Sequence, residues 1–60
     1  MKLYAKFIYD IIKEETQGLD AVYEDYIVMS VGLRGLTALK KYGFIESCGV
    51  INGSQMYAVK

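Results

Sequence analysis

The most reactive side chain in the sequence, the thiol of Cys48, has no partner with which to do chemistry. It is the only cysteine among 60 residues, and there is no histidine to act as its base or to join it on zinc. One cysteine forms no intramolecular disulfide, which suits a reducing, intracellular setting. The carboxylates lack metal-ligand spacing, the glycines form no phosphate-binding loop, and no pattern calls for a cofactor. Catalysis is therefore the least supported class, and the expectation is a protein that is not an enzyme. The cations are placed differently. Over the segment from Val31 or Leu33 to Tyr42, a helical projection groups Arg34, Thr37, Ala38 and Lys41 on one side and Leu33, Leu36 and Leu39 on the other, as the buried side. Arginine can bond bidentately to guanine, threonine and serine reach bases or phosphates, and lysine neutralises phosphate. Lys40 and Lys41 also have a purely structural reading, because basic residues in a last helical turn complement the helix dipole.

The elements that must position these residues follow from period and punctuation. Lys2 to Gln17 has helical periodicity, with Leu3, Phe7, Ile11 and Tyr4, Ile8, Ile12 as adjacent apolar ridges and Lys6, Asp10 and Lys13 opposite. Lys6 and Asp10 form an i,i+4 pair of opposite charge. Gly18 closes this helix, and Asp20 is placed to cap a second one with Val22, Tyr26 and Met29 on one side and Glu24 and Asp25 toward solvent. The tail of that segment, Tyr26 to Val31, is also rich enough in β-branched and aromatic residues to be a strand, and periodicity does not decide a run so short. Helix is favoured because a three-helix core needs it. Ser30 or Gly32 marks the next turn, and Gly35 inside the third helix is either a tolerated glycine with no function or one that permits a close approach by a neighbouring helix or a phosphate backbone. Gly43 ends that helix in the left-handed geometry glycine tolerates. Asn52-Gly53 then lies between two runs of β-formers, the strongest short-range hairpin signal. Counting back from it pairs Ile51 with Ser54, Val50 with Gln55, Cys48 with Tyr57 and Glu46 with Val59, with Gly49 as a bulge or bend.

Helix, glycine stop, hairpin and chain end, together with the leucine spacing in LTALKKYGFIE, resembles the winged helix-turn-helix family of transcriptional regulators over roughly the C-terminal half. The expected fold is mainly α with a C-terminal β-hairpin, an α+β domain of three helices plus a wing. The resemblance implies double-stranded DNA as the partner, with the third helix in the major groove through Arg34, Thr37, Lys40 and Lys41 and the wing reaching out through Asn52, Gly53, Ser54 and Gln55. Three departures stand against it: the wing tip has no basic residue, Glu46 adds a negative charge at its base, and Asp20, Glu24 and Asp25 fall near the end of the second helix that would approach phosphates.

One domain is all that 60 residues allow, and a chain this short buries only about 60% of the surface it exposes when unfolded. Yet 53% of its residues are hydrophobic, including six tyrosines and two phenylalanines, more than so small an interior needs. A homodimer is the expectation, with Tyr4, Ile8 and Ile12 as the interface ridge. Seven basic and seven acidic residues cancel. That neutrality favours the alternative class, a small interaction module or inhibitor of phage or plasmid type that binds a protein through its tyrosines, Tyr42 first. Lys6 and Asp10 interrupt any signal-peptide core and no run approaches a membrane span, so a cytoplasmic protein without a membrane role is expected.

Overall fold

Alternation of two apolar periods along the chain produces two helices and a three-stranded antiparallel sheet, an α+β architecture. The computed structural model describes the backbone of residues 2–60 and the side chains of residues 3–60. Helix α1 is Lys2–Glu15, strand β1 Val22–Tyr23, helix α2 Glu24–Lys41, strand β2 Ile45–Ile51 and strand β3 Ser54–Val59. The sheet order is β1-β3-β2, so the last strand is the central one. Among the described residues no helix is long and apolar enough to cross a membrane.

Helix α1 buries Ala5, Ile8 and Ile12, and the Thr16 hydroxyl donates to the Ile12 carbonyl at 2.8 Å as the helix ends. On the far side Lys6 Nζ meets Asp10 at 2.7 Å. Burial of Ile8 and Ile12 corrects the expected interface: they belong to the core, only Tyr4 of that trio is exposed, and the outward ridge is Leu3 (85% exposed) and Phe7 (64%). The reason is angular. Ala5, Ile8, Ile12 and Thr16 recur at intervals of three and four residues and so share one stripe, leaving Leu3 and Phe7 well round the helix from it.

Asp20 does not cap the following helix. Val22 and Tyr23 pair with Tyr57 and Met56 of β3, so helix α2 starts later, at Glu24, behind an extended Tyr23 that offers no side-chain cap. The stretch Tyr26 to Val31, left open between helix and strand, is helix; the strand lies ahead of it, at Val22 and Tyr23, where a helix was expected. The later start also changes the face: Ile27 is fully buried, whereas Met29 (87% exposed) and Tyr26 point outward.

The expected second and third helices form one helical element interrupted at Gly32, whose φ of 81° and ψ of 172° lie outside any helix. That interruption is what lets both segments face the core. In an uninterrupted helix Ile27 and Leu36 would stand about 180° apart, yet both are buried. The break also lays Val31 over Gly35, where a Cβ would come within 2.6 Å of the valine side chain and 3.3 Å of Ile8. Gly35 thus makes room first for Val31 of its own helical element and only secondarily for Ile8 of helix α1. Leu33 (69% exposed) is not on the buried side: Gly35, Leu36 and Leu39 define that stripe, and Leu33 falls well off its centre.

Helix α2 stops in a Schellman arrangement, with Gly43 N–H donating to Lys40 O at 3.2 Å and Phe44 N–H to Leu39 O at 2.9 Å. Phe44 then stacks on Tyr9 with ring centroids 4.5 Å apart, fixing α1 against the chain entering the sheet. The hairpin turns at Asn52-Gly53, both at positive φ (54° and 80°), as a type I′ turn requires. Ile51 pairs with Ser54 and Val50 with Gln55 as expected. Beyond them the register shifts at a bulge: Gly49 pairs with Met56 and Ser47 with Tyr57, so Cys48 has no partner and Glu46 faces Ala58 rather than Val59. Gly49, with φ of 100°, supplies the bulge geometry.

Candidate nucleic-acid interface

Segment 33–41 of helix α2 carries Arg34 and Lys41 on the face opposite Leu36 and Leu39. Arg34, Thr37 and Lys41 are exposed and lie in one row, since residues separated by three, four and seven positions share a helical face. Beside the row runs a groove of about 370 Å³ between this segment and the start of helix α1. It is an open, shallow depression, lined by the apolar and aromatic residues Tyr4, Leu33, Ala38 and Tyr42 and by the polar groups of Arg34, Thr37 and Lys41. Lys41 Nζ lies 5.6 Å from the centre of the Tyr42 ring, a cation–π distance.

Lys40 is turned away from this row. Its ammonium sits 5.8 Å from the Tyr57 ring centre on the sheet side, and the Tyr57 hydroxyl donates to Glu24 at 3.4 Å. Arg34, Lys40 and Lys41 form no ion pair among the described residues, whose ion pairs are Lys6–Asp10 and Lys60–Glu46. The second of these, at 3.9 Å, sets a cation beside the acidic group at the hairpin base.

The wing residues divide. Asn52 is exposed at the turn, and Ser54 is half-buried. Gln55 is occupied: its amide nitrogen lies 2.6 Å from Ser47 Oγ, 2.9 Å from Gly49 O and 3.1 Å from Met56 O, spanning the bulge. An amide nitrogen has two protons to give, so Gln55 has no donor left for a base or phosphate. None of the hairpin residues lines the groove that gathers Arg34, Thr37 and Lys41.

Elsewhere, Glu15 at the end of α1 accepts hydrogen bonds from Tyr26 at 3.1 Å and Ser30 at 2.6 Å, tying α1 to the first segment of α2. Burial raises the Tyr26 phenol above its ordinary pKa, and the Glu15 carboxylate adds to the shift. Among the described residues no three His, Cys, Asp or Glu side chains gather as a metal site. Residue-type reasoning missed Leu33 and did not place Tyr4 beside the cationic row. Counting from Gly35 rather than from the leucines would have turned Leu33 outward, but the Tyr4 contact depends on how α1 crosses α2 and leaves no local signal. No protein-family model, curated protein or solved structure matches the chain.

Proposed function

We propose that this protein is a small DNA-binding regulator of winged helix-turn-helix type, reading the major groove with segment 33–41 and acting as a homodimer. The observation that carries the reading is the break at Gly32, followed at once by the exposed row Arg34, Thr37 and Lys41. A glycine-containing turn between two helical segments, with polar residues at the start of the second, is the arrangement in which a recognition helix presents its N-terminal residues to base edges. The sheet behind it supplies the wing. Arg34 has the role of base reader, while Lys41, two turns further along the same face, neutralises phosphate. Lys40 has a lesser part, since its ammonium lies over Tyr57.

Fluorescence anisotropy with duplex fragments at several salt concentrations tests this. Arg34→Ala weakens binding by about 1–3 kcal/mol and relaxes preference at one base pair, whereas Lys41→Ala weakens all sequences alike and lowers the salt slope by about one unit per site. The whole slope is small, about 2 for a protomer and about 4 for a dimer with two phosphate contacts each. No salt-dependent binding at low ionic strength defeats the proposal. The second reading, a module that docks on a protein, has its own support: the chain is neutral overall, and Leu3, Phe7, Leu33 and Met29 are all largely exposed.

A further inference from the structure

The hairpin is poorly fitted to reach DNA: its tip carries no cation, and the Gln55 amide is spent across the bulge. Its outer edge is unoccupied. Strand β2 lies at the edge of the sheet, with β3 as its one neighbour among the described residues, and every side chain from Glu46 to Ile51 is exposed. In an antiparallel ladder, residues alternate between those whose N–H and C=O meet the partner strand and those whose groups point away. Lys60 N–H donates to Phe44 O at 3.0 Å, which fixes Phe44 as inward and, by alternation, Ile45 and Ser47 as outward. Beyond the bulge, Ile51 closes the two-residue turn against Ser54, so Val50 points outward. Edges of this kind are ordinarily blunted by lysine, proline or a covering loop. Here the edge has one charged side chain, Glu46, near one end and exposed Val50 and Ile51 at the other.

We propose that the outer edge of β2 pairs antiparallel with the β2 edge of a second copy of this chain, about a two-fold axis between Cys48 and Gly49, joining two three-stranded sheets into one. The bulge selects both the occupant and the register. Ser47 and Val50 oppose Tyr57 and Gln55, which are two residues apart on β3, so the extra residue leaves Ser47 and Val50 on the same sheet face. The register that sets Ser47 against Val50 of the second copy therefore matches face to face and bulge to bulge. Symmetry forms that pair twice, each exchanging both of its N–H···O bonds. A regular strand of another protein would meet the bulge with one residue too few. The charges agree: Glu46 falls opposite Ile51 of the second copy, whereas an axis at Glu46 would oppose two carboxylates. The pairing supplies a surface for the homodimer of the proposed function, and it rests on that part of the reading alone. The contact is small beside the roughly 800 Å² a side of a standard complex, so the dimer dissociates on dilution.

The test follows the intact chain by NMR and sedimentation over a concentration series. Shifts on association should centre on the amides of Ser47, Cys48 and Val50. Val50→Pro removes an outward N–H at an exposed edge position and spares the bonds to β3, so it should abolish association. Ile51→Lys sets a cation opposite Glu46 of the second copy, and Ile51→Glu sets a like charge there. Loss of the isoleucine is common to both, and two cross-strand pairs change at once, so the lysine variant should dimerise at least about fourfold more tightly than the glutamate variant. This comparison decides the matter should Val50→Pro unfold. A parent chain that stays monomeric at NMR concentration, shifts centred on Leu3 and Phe7, or equal affinity in the two Ile51 variants each overturn the pairing. Duplex binding is measured apart, by anisotropy on the parent: its absence defeats the DNA reading and leaves the pairing to be judged by the concentration series.

Discussion

Replacing Gly32 with alanine sets two penalties against each other. If the break persists, alanine must adopt φ of 81° and ψ of 172°, a region essentially reserved for glycine, at a cost of about 1–3 kcal/mol. Space is not the obstacle, because no atom lies within 4 Å of where the new methyl would sit. If the break closes instead, the continuous helix gains about 1 kcal/mol of propensity but turns Ile27 and Leu36 to opposite faces. Exposing either one costs about 1.5–3 kcal/mol, and Val31 also leaves Gly35. The first route leaves the variant less stable by about 1–3 kcal/mol and the second by about 0.5–2 kcal/mol before the loss of the Val31 contact, and for a domain of this size 2 kcal/mol corresponds to a melting temperature lower by about 8–16 °C. Urea unfolding followed by circular dichroism measures it. A variant as stable as the parent, with greater helical signal, would show that α2 runs straight in solution and would refute the account of the break.

Ile8→Ala should cost about 2–5 kcal/mol as a core truncation, whereas Phe7→Asp should change stability by no more than about 0.5 kcal/mol and dissociate any dimer held by the Leu3–Phe7 ridge; chemical denaturation and sedimentation separate the two. Gln55→Ala should destabilise by about 1–2 kcal/mol in the same denaturation assay, because the bulge loses the amide that satisfies Ser47 and Gly49, and it should leave DNA affinity unchanged. Tyr26 has a folded pKa above its ordinary 10.0, so the folded state holds the phenolic proton more tightly than the unfolded chain. The stability this confers is complete below pH 10 and is lost as pH rises through the folded pKa, so the urea midpoint of the parent should fall more steeply above pH 10 than that of Tyr26→Phe.

Where structure is fixed by neighbours in sequence, the chain is readable. The Asn52-Gly53 turn, the Gly43 stop and the Lys6–Asp10 pair all follow from residues within four positions of one another. Strand β1 was not readable because Val22 and Tyr23 become a strand only by pairing with Tyr57 and Met56, from the opposite end of the chain. The assignment of Tyr4, Ile8 and Ile12 to an interface failed for the same reason: both ridges of α1 are apolar, and the packing partner, which takes Ile8 and Ile12 into the core, chooses between them. At the candidate site the row Arg34, Thr37 and Lys41 was legible from helical spacing, while the engagement of Gln55 depended on a bulge that shifts the register by one residue.

Because β3 lies between β1 and β2, the sheet has no partial form in which the two outer strands hold each other. A chain growing from its N-terminus can close the hydrogen bonds of α1 and both segments of α2 while β3 is still being made, since helical contacts are local. Val22 and Tyr23 must wait, and so must Ile45 through Ile51. Assembly is thus ordered in time, with the helical part first and the sheet completed in a late step that joins distant parts of the chain. A stop codon within the last strand would accordingly leave two orphaned strands and an uncovered helical face, and the product would be a candidate for proteolysis rather than a shortened working protein.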